Sequence, residues 1–184
     1  TLGVYTQLGI GEGLANLLCY TSLEEILKWI PFEIPTEAVR DFLYQKSIYL
    51  ASLPATPEDL SIEQAVARQS LYLALNSSGK DFPRKVRRAA FGLTPYFEPI
   101  LAAGSVVTCA PTLGQGLLIL LDAIQPVGIT TVILDQNNLL PALGAAASRN
   151  TILPIQVLES GVFLGLATVV APYVNARPGT PVLN

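Results

Sequence analysis

Histidine is absent from the 184 residues. That removes a Ser-His-Asp triad, a Cys-His pair and any imidazole-ligated metal from the possible chemistries. Cysteine is nearly absent too. Cys19 and Cys109 stand far apart and in no CxxC pair, which argues against a structural zinc site and predicts two buried free thiols. Charged residues make up 14% and the net charge is −3, so no general affinity for nucleic acid follows. No charged leader with an apolar centre is visible, and the expectation is a cytoplasmic protein. No internal repeat or low-complexity tract is found either. Long apolar runs are also missing. The longest, Gly161 to Val174, falls short of the roughly 20 residues a spanning helix needs and carries Gly165 and Pro172. Its valine content predicts two buried strands. What remains is chemistry by positioning, backbone amides, carboxylates and a borrowed metal ion.

Hydrophobic residues are plentiful, at 51%, enough for a substantial core. One local charge cluster stands out: Lys80, Arg84, Lys85, Arg87 and Arg88 against only Asp81. It reads as a solvated helix face, with a phosphate or partner contact as the alternative. Thr1 and the tail Arg177–Asn184 suggest a piece of a longer chain, with residues 176–184 as a linker to a following domain.

The periodicities predict a strand over Leu2–Ile10, then a glycine turn and a helix through Leu14, Leu17 and Leu18. The capping-box pattern Ser22-Leu-Glu-Glu25 predicts a helix from Leu23 that stops before Pro31. Thr36 is the expected cap of a helix carrying Val39, Phe42, Leu43 and Lys46. Ser61-Ile-Glu-Gln64 is the expected box of another, ending near Gly79. After Ile100 the rhythm changes. A strand at Ile100–Leu101 leads to the turn Ala102-Ala-Gly-Ser105, and an apolar helix over Thr112–Gln125 is closed by Pro126 and Gly128. Ile129–Leu134 reads as a buried strand. A short helix starts around Pro141 and ends near Ser148. Thr151–Leu158 and Val162–Val170 read as strands. The class is α/β with at least part of the sheet parallel. Residues 1–13 and 99–175 form the expected α/β subdomain, and 14–98 a mainly helical insertion.

Three stretches offer chemistry. Thr6-Gln-Leu-Gly-Ile-Gly-Glu-Gly13 lets the backbone approach a phosphate, although no Gly-Lys-Ser/Thr follows, and an unliganded tight turn is the alternative. The turn Ala102–Ser105 admits a flat ring or ribose, or is a plain strand-to-helix connection. In the third, from Asp135 to Ala147, the small residues Gly144–Ala147 predict close packing on a sheet.

These stretches occur in an order that resembles the second lobe of the superfamily of actin, sugar kinases and heat-shock chaperone ATPases, which has a ribonuclease H-like fold. The stretch GSVVTCAPTLGQGLLILLDAIQPVGITTVILDQNNLLPALGAAA, followed by LPIQVLESGVFLGLATVVAP, looks like the MutL-type family of actin-like proteins associated with glutamate mutase. LGIGEG and IEQAVARQSL are compatible with it, and the likeness covers most of residues 1–175. The resemblance implies ATP with Mg²⁺ in a cleft between two lobes. It places Gln7, Gly9, Ile10 and Gly11 at the phosphates, and Gly104 and Ser105 at adenosine, with Glu63 and Arg68 as further adenosine contacts. The implied partner is a cobalamin-dependent mutase and the implied role its reactivation.

The family pattern is broken twice. Gln7 stands where the superfamily has an acid, and Ala103 where the adenosine turn has a glycine. The opposite lobe is not in this sequence. The piece alone is therefore expected to bind ATP weakly and hydrolyse it poorly. Two other readings stand beside this one: a non-catalytic scaffold that keeps the fold without nucleotide, and an unrelated α/β domain.

Overall fold

The computed structural model describes residues 7–79, 82, 96–172, 177, 179 and 181. Most of the expected strand at Leu2–Ile10 and all of the basic residues from Lys80 to Arg88 lie outside them. The chain divides into two compact units: a helical unit, Thr1–Lys85 with Ile119–Ile124, and a sheet unit, Val86–Leu118 with Gln125–Asn184.

In the helical unit, residues 7–10 form a turn rather than the end of a strand. A 3-10 helix follows at Glu12–Cys19, where an ordinary helix was expected. Leu14 and Leu17 are buried and three residues apart, a spacing that a three-residue turn stacks on one face. Helix α1 covers Leu23–Leu27 and buries Leu23 and Ile26. The expected capping box does not form. Ser22 makes no cap bond, and the Glu25 carboxylate pairs with Lys28. Helix α2 spans Thr36–Ile48 and buries Val39, Leu43 and Lys46, a helical face at i, i+4, i+7, but its N-cap is Pro35 and not Thr36.

Helix α3, Pro57–Ser78, starts four residues before Ser61. Its capping box is Thr56 with Asp59: the Asp59 N–H donates to Thr56 Oγ1 at 3.1 Å, and the Thr56 N–H to Asp59 Oδ2 at 3.1 Å. Pro57 fits the first turn because no N–H is needed there. Ser61 lies inside the helix and donates back to the Pro57 carbonyl at 2.9 Å. Ile62, Ala65 and Val66 complete a core with Leu14, Leu17, Ile26, Val39 and Leu43. The Trp29 indole N–H donates to Gln69 Oε1 at 2.7 Å, and Gln69 Nε2 donates to Thr21 Oγ1 at 2.8 Å.

The sheet unit holds three strands among the described residues, in the order β1 (Ile100–Ala102), β2 (Gly128–Leu134), β3 (Leu164–Ala171). β1 and β2 are parallel, with Ile100 opposite Val132 and Ala102 opposite Leu134, and β3 runs antiparallel to β2. The sheet is therefore mixed, and the α/β class holds. In β2, Thr130, Val132 and Leu134 are buried in alternation. A register shift between Val132 and Ile133 leaves Leu166 without a partner. The run Gly161–Val174 contains one strand, not two, among its described residues. Between the strands lie α4 (Ser105–Thr108), α5 (Leu113–Ile124), α6 (Leu140–Ala147) and α7 (Ile152–Glu159).

Helix α7 replaces the strand expected at Thr151–Leu158. Asn150 Oδ1 accepts from the N–H groups of Ile152 and Leu153 at 3.0 and 3.2 Å, and Pro154 sits in the first turn, where it is tolerated in a helix but disfavoured inside a sheet. Of Gly144–Ala147, where close packing was expected, Gly144 and Ala145 are exposed and Ala146 and Ala147 half-buried, and among the described residues no atom lies within 4 Å of a would-be Cβ at Gly144. Gly116 makes the close approach instead, since a Cβ there would meet the Val107 carbonyl at 2.8 Å. Both cysteines are exposed, not buried. No helix among the described residues is long and apolar enough to cross a membrane.

Candidate functional site

The sheet unit places its polar, open backbone at the carboxyl ends of the parallel pair β1–β2. Ala102 ends β1 and is buried, whereas Ala103, Gly104 and Ser105 are exposed. Gly104 adopts φ +117, a conformation that side chains with a Cβ rarely take. Among the described residues, its chain neighbours aside, no atom stands within 4 Å of the position a Cβ would fill. The Gly104 carbonyl starts α4, accepting from the N–H groups of Val107 and Thr108 at 3.1 and 3.0 Å.

Asp135 closes the other side. Its N–H donates to the Ala102 carbonyl at 2.8 Å, the last bond of the parallel ladder. Its carboxylate Oδ2 accepts from the Leu140 N–H at 2.8 Å, at the start of α6. The residue is 2% exposed. Burial pushes its pKa up, but the backbone N–H groups of Leu139, Leu140, Asn137 and Asn138 together outweigh burial and hold it below the ordinary value. Gln136, Asn137 and Asn138 then form an exposed edge of amide side chains, with Asn138 at φ +52, a region asparagine tolerates. In the sequence Asp135 only opens the Asp/Asn stretch. The signal for it was an acid five residues before a short helix that starts next to a proline.

The remaining expected site residues lie in the helical unit. Gln7 is exposed, and its side-chain oxygen accepts from the Tyr20 hydroxyl. Gly9, at φ +147, and Gly11 have nothing within 4 Å of a would-be Cβ. Ile10 packs against the helical core. The glycine that the loop requires sterically is Gly13, whose Cβ would lie 2.8 Å from the Gln7 carbonyl carbon. Glu63 is engaged in a nearly buried ion pair, with Oε1 2.7 Å from Lys46 Nζ, and the Lys46 ammonium also donates to the Ser52 carbonyl. Arg68 Nε lies 2.7 Å from Asp122 Oδ2. Gln7, Gly9, Ile10 and Gly11 thus form one turn. Glu63 and Arg68 spend their charges on ion pairs within the same unit, and Gly104 and Ser105 belong to the sheet unit.

Among the described residues, the turn at Gly104 presents backbone polar atoms and the Ser105 hydroxyl, and Gln136–Asn138 present amides. Among the described residues no three His, Cys, Asp or Glu side chains gather into a group that could hold a metal ion. No protein-family model, curated protein or solved structure matches the chain.

Proposed function

We propose that this chain is part of an actin-like ATP-binding protein, its second lobe, acting as an accessory or reactivating factor of a cobalamin-dependent mutase. One observation carries the nucleotide reading: an exposed glycine turn at the carboxyl end of β1, with Gly104 at φ +117, beside the exposed amides of Gln136–Asn138. Adenosine is the part of ATP that this edge suits. Mg²⁺ is expected to depend on the phosphates and on groups outside the described residues, and no catalytic step is assigned to the chain.

A second reading, a scaffold that keeps the fold without nucleotide, has its own support in Gln7, which offers no carboxylate and whose side-chain oxygen is taken by Tyr20.

The two readings part in a titration of the labelled protein with ATP and Mg²⁺, followed by amide resonances. The nucleotide reading expects weak, saturable shifts at Gly104, Ser105 and Gln136–Asn138, and their loss in Gly104→Val. A wild-type protein with no shift at these amides at any ATP concentration rules that reading out and leaves the scaffold.

A further inference from the structure

We infer that Asp135 is the positioning residue of this edge, a single buried side chain that sets the Gln136–Asn138 loop alongside the Ala103–Ser105 turn. The inference deepens the nucleotide reading and rests on it for the identity of the ligand.

The residue is tied on both sides. Its backbone N–H reaches the Ala102 carbonyl at 2.8 Å, the last bond of the β1–β2 ladder and the one that pairs Ala102 with Leu134, so Ala103 and Gln136 lie beyond the ladder. Its carboxylate turns the other way, where Oδ2 accepts from the Leu140 N–H at 2.8 Å, the first backbone donor of α6. The four residues between Asp135 and Leu140 are thereby closed into a short loop whose two ends meet on one side chain. A donor set at the start of a helix is otherwise satisfied by water or by a capping residue. The residue just before α6 is Leu139, which supplies no cap. Asp135 does that work from inside the sheet, so the loop cannot move without breaking either the ladder or the cap.

The consequence is chemical. Gln136, Asn137 and Asn138 each carry a donor and an acceptor on one planar group. An amide presented this way matches a ring edge with adjacent acceptor and amino donor, as an adenine has. On the nucleotide reading, the ligand class is an adenine nucleotide, met by the exposed amides of Gln136–Asn138.

The test uses Asp135→Asn and Asp135→Ala in the whole chain, with amide hydrogen exchange, thermal unfolding and titration with adenosine nucleotide. Asparagine keeps an acceptor oxygen and loses the charge, whereas alanine removes the acceptor. In the alanine variant, exchange at Leu140 and across Asn137–Leu139 is expected to quicken by about tenfold, with β2 and β3 unchanged, and the asparagine variant should fall between it and wild type. Where wild type binds adenosine nucleotide, both variants should weaken it in the same order, while discrimination against a guanosine nucleotide shrinks. Unchanged exchange at Leu140 in the alanine variant overturns the inference. So does acceleration spread evenly through the sheet, which would mark a general folding role. If alanine prevents folding, the asparagine variant decides alone by the same exchange pattern. If wild type binds no nucleotide, the ligand reading fails by itself, and the exchange pattern still decides whether Asp135 sets the loop.

Discussion

The two units treat their apolar residues differently. The helical unit seals Leu14, Leu17, Ile26, Val39, Ile62 and Val66 almost completely from solvent, and it buries the ion pair Lys46–Glu63 as well. The sheet unit, among its described apolar side chains, buries Ala102, Val132 and Leu134, and leaves Ile129, Ile152, Ile155, Leu158 and Val170 largely exposed. Both draw on the same hydrophobic composition. One spends it on a core. The other spends it on a single buried face of β2 and keeps its polar groups for the strand ends around Asp135. A mean hydropathy of +0.46 therefore does not measure core size in this chain. Stability is expected to reside mainly in the helical unit, and ligand response in the sheet unit.

That contrast is broken most forcefully at the buried ion pair. In Glu63→Ala the Lys46 ammonium, whose side chain is 6% exposed, loses its counter-charge and keeps only the Ser52 carbonyl. The expected loss is about 3–5 kcal/mol in urea unfolding, because an uncompensated buried charge remains. Replacing both partners, Lys46→Met with Glu63→Leu, should recover most of it. The same pair of variants separates two roles for Glu63. A residue whose work is structural changes stability, and nucleotide affinity in the double variant stays at the wild-type level. An adenosine contact loses affinity in the double variant even though stability returns.

A smaller effect is expected inside the glycine turn. Gly13→Ala would force a methyl to within 2.8 Å of the Gln7 backbone, and neither side of that contact is a flexible side-chain end. Overpacking of this kind costs about 1–3 kcal/mol. Gly11→Ala meets nothing within 4 Å and should stay within about 0.5 kcal/mol on thermal unfolding. If the ranking reverses, the turn is not held by the close approach at Gly13.

Much of this arrangement was legible in the residues. The spacing of Val39, Leu43 and Lys46 marked α2, and the β-branched run Ile129–Ile133 marked β2, because in each case the pattern and the packing agree. The Gly104 turn was legible because strand, small residues and helix follow one another directly. The misreadings have local causes. Helix α7 was hidden by its Ile, Leu and Val content, although Asn150 and Pro154 signalled a helix start. The first turn of α3 was placed at Ser61 because Ser-x-x-Gln and Thr-x-x-Asp compete within six residues, and Pro57 favours the latter. Asp135 was not legible as a positioning group, since its role depends on burial and on the Ala102 carbonyl, a partner 33 residues earlier in the chain that no local pattern announces.

The smallest expected effect is at the exposed face of the sheet unit. Ile155 is 55% exposed on α7, so Ile155→Ser removes little contact from the folded chain. Thermal unfolding at low protein concentration should shift by no more than about 0.5 kcal/mol, the usual size for a surface site. Leu17→Ala, at a fully buried position, should cost about 2–5 kcal/mol in the same measurement. The ratio of the two is the contrast between the units expressed as energy. Repeating the scan at high protein concentration sharpens it. If Ile155 faces only water, the serine variant tracks wild type at both concentrations. If wild type gains stability with concentration and the variant does not, the apolar face of α7 is covered by self-association, because a contact between copies stabilises the folded state by mass action. The sheet unit would then bury its hydrophobic residues in an assembly and not in a core of its own.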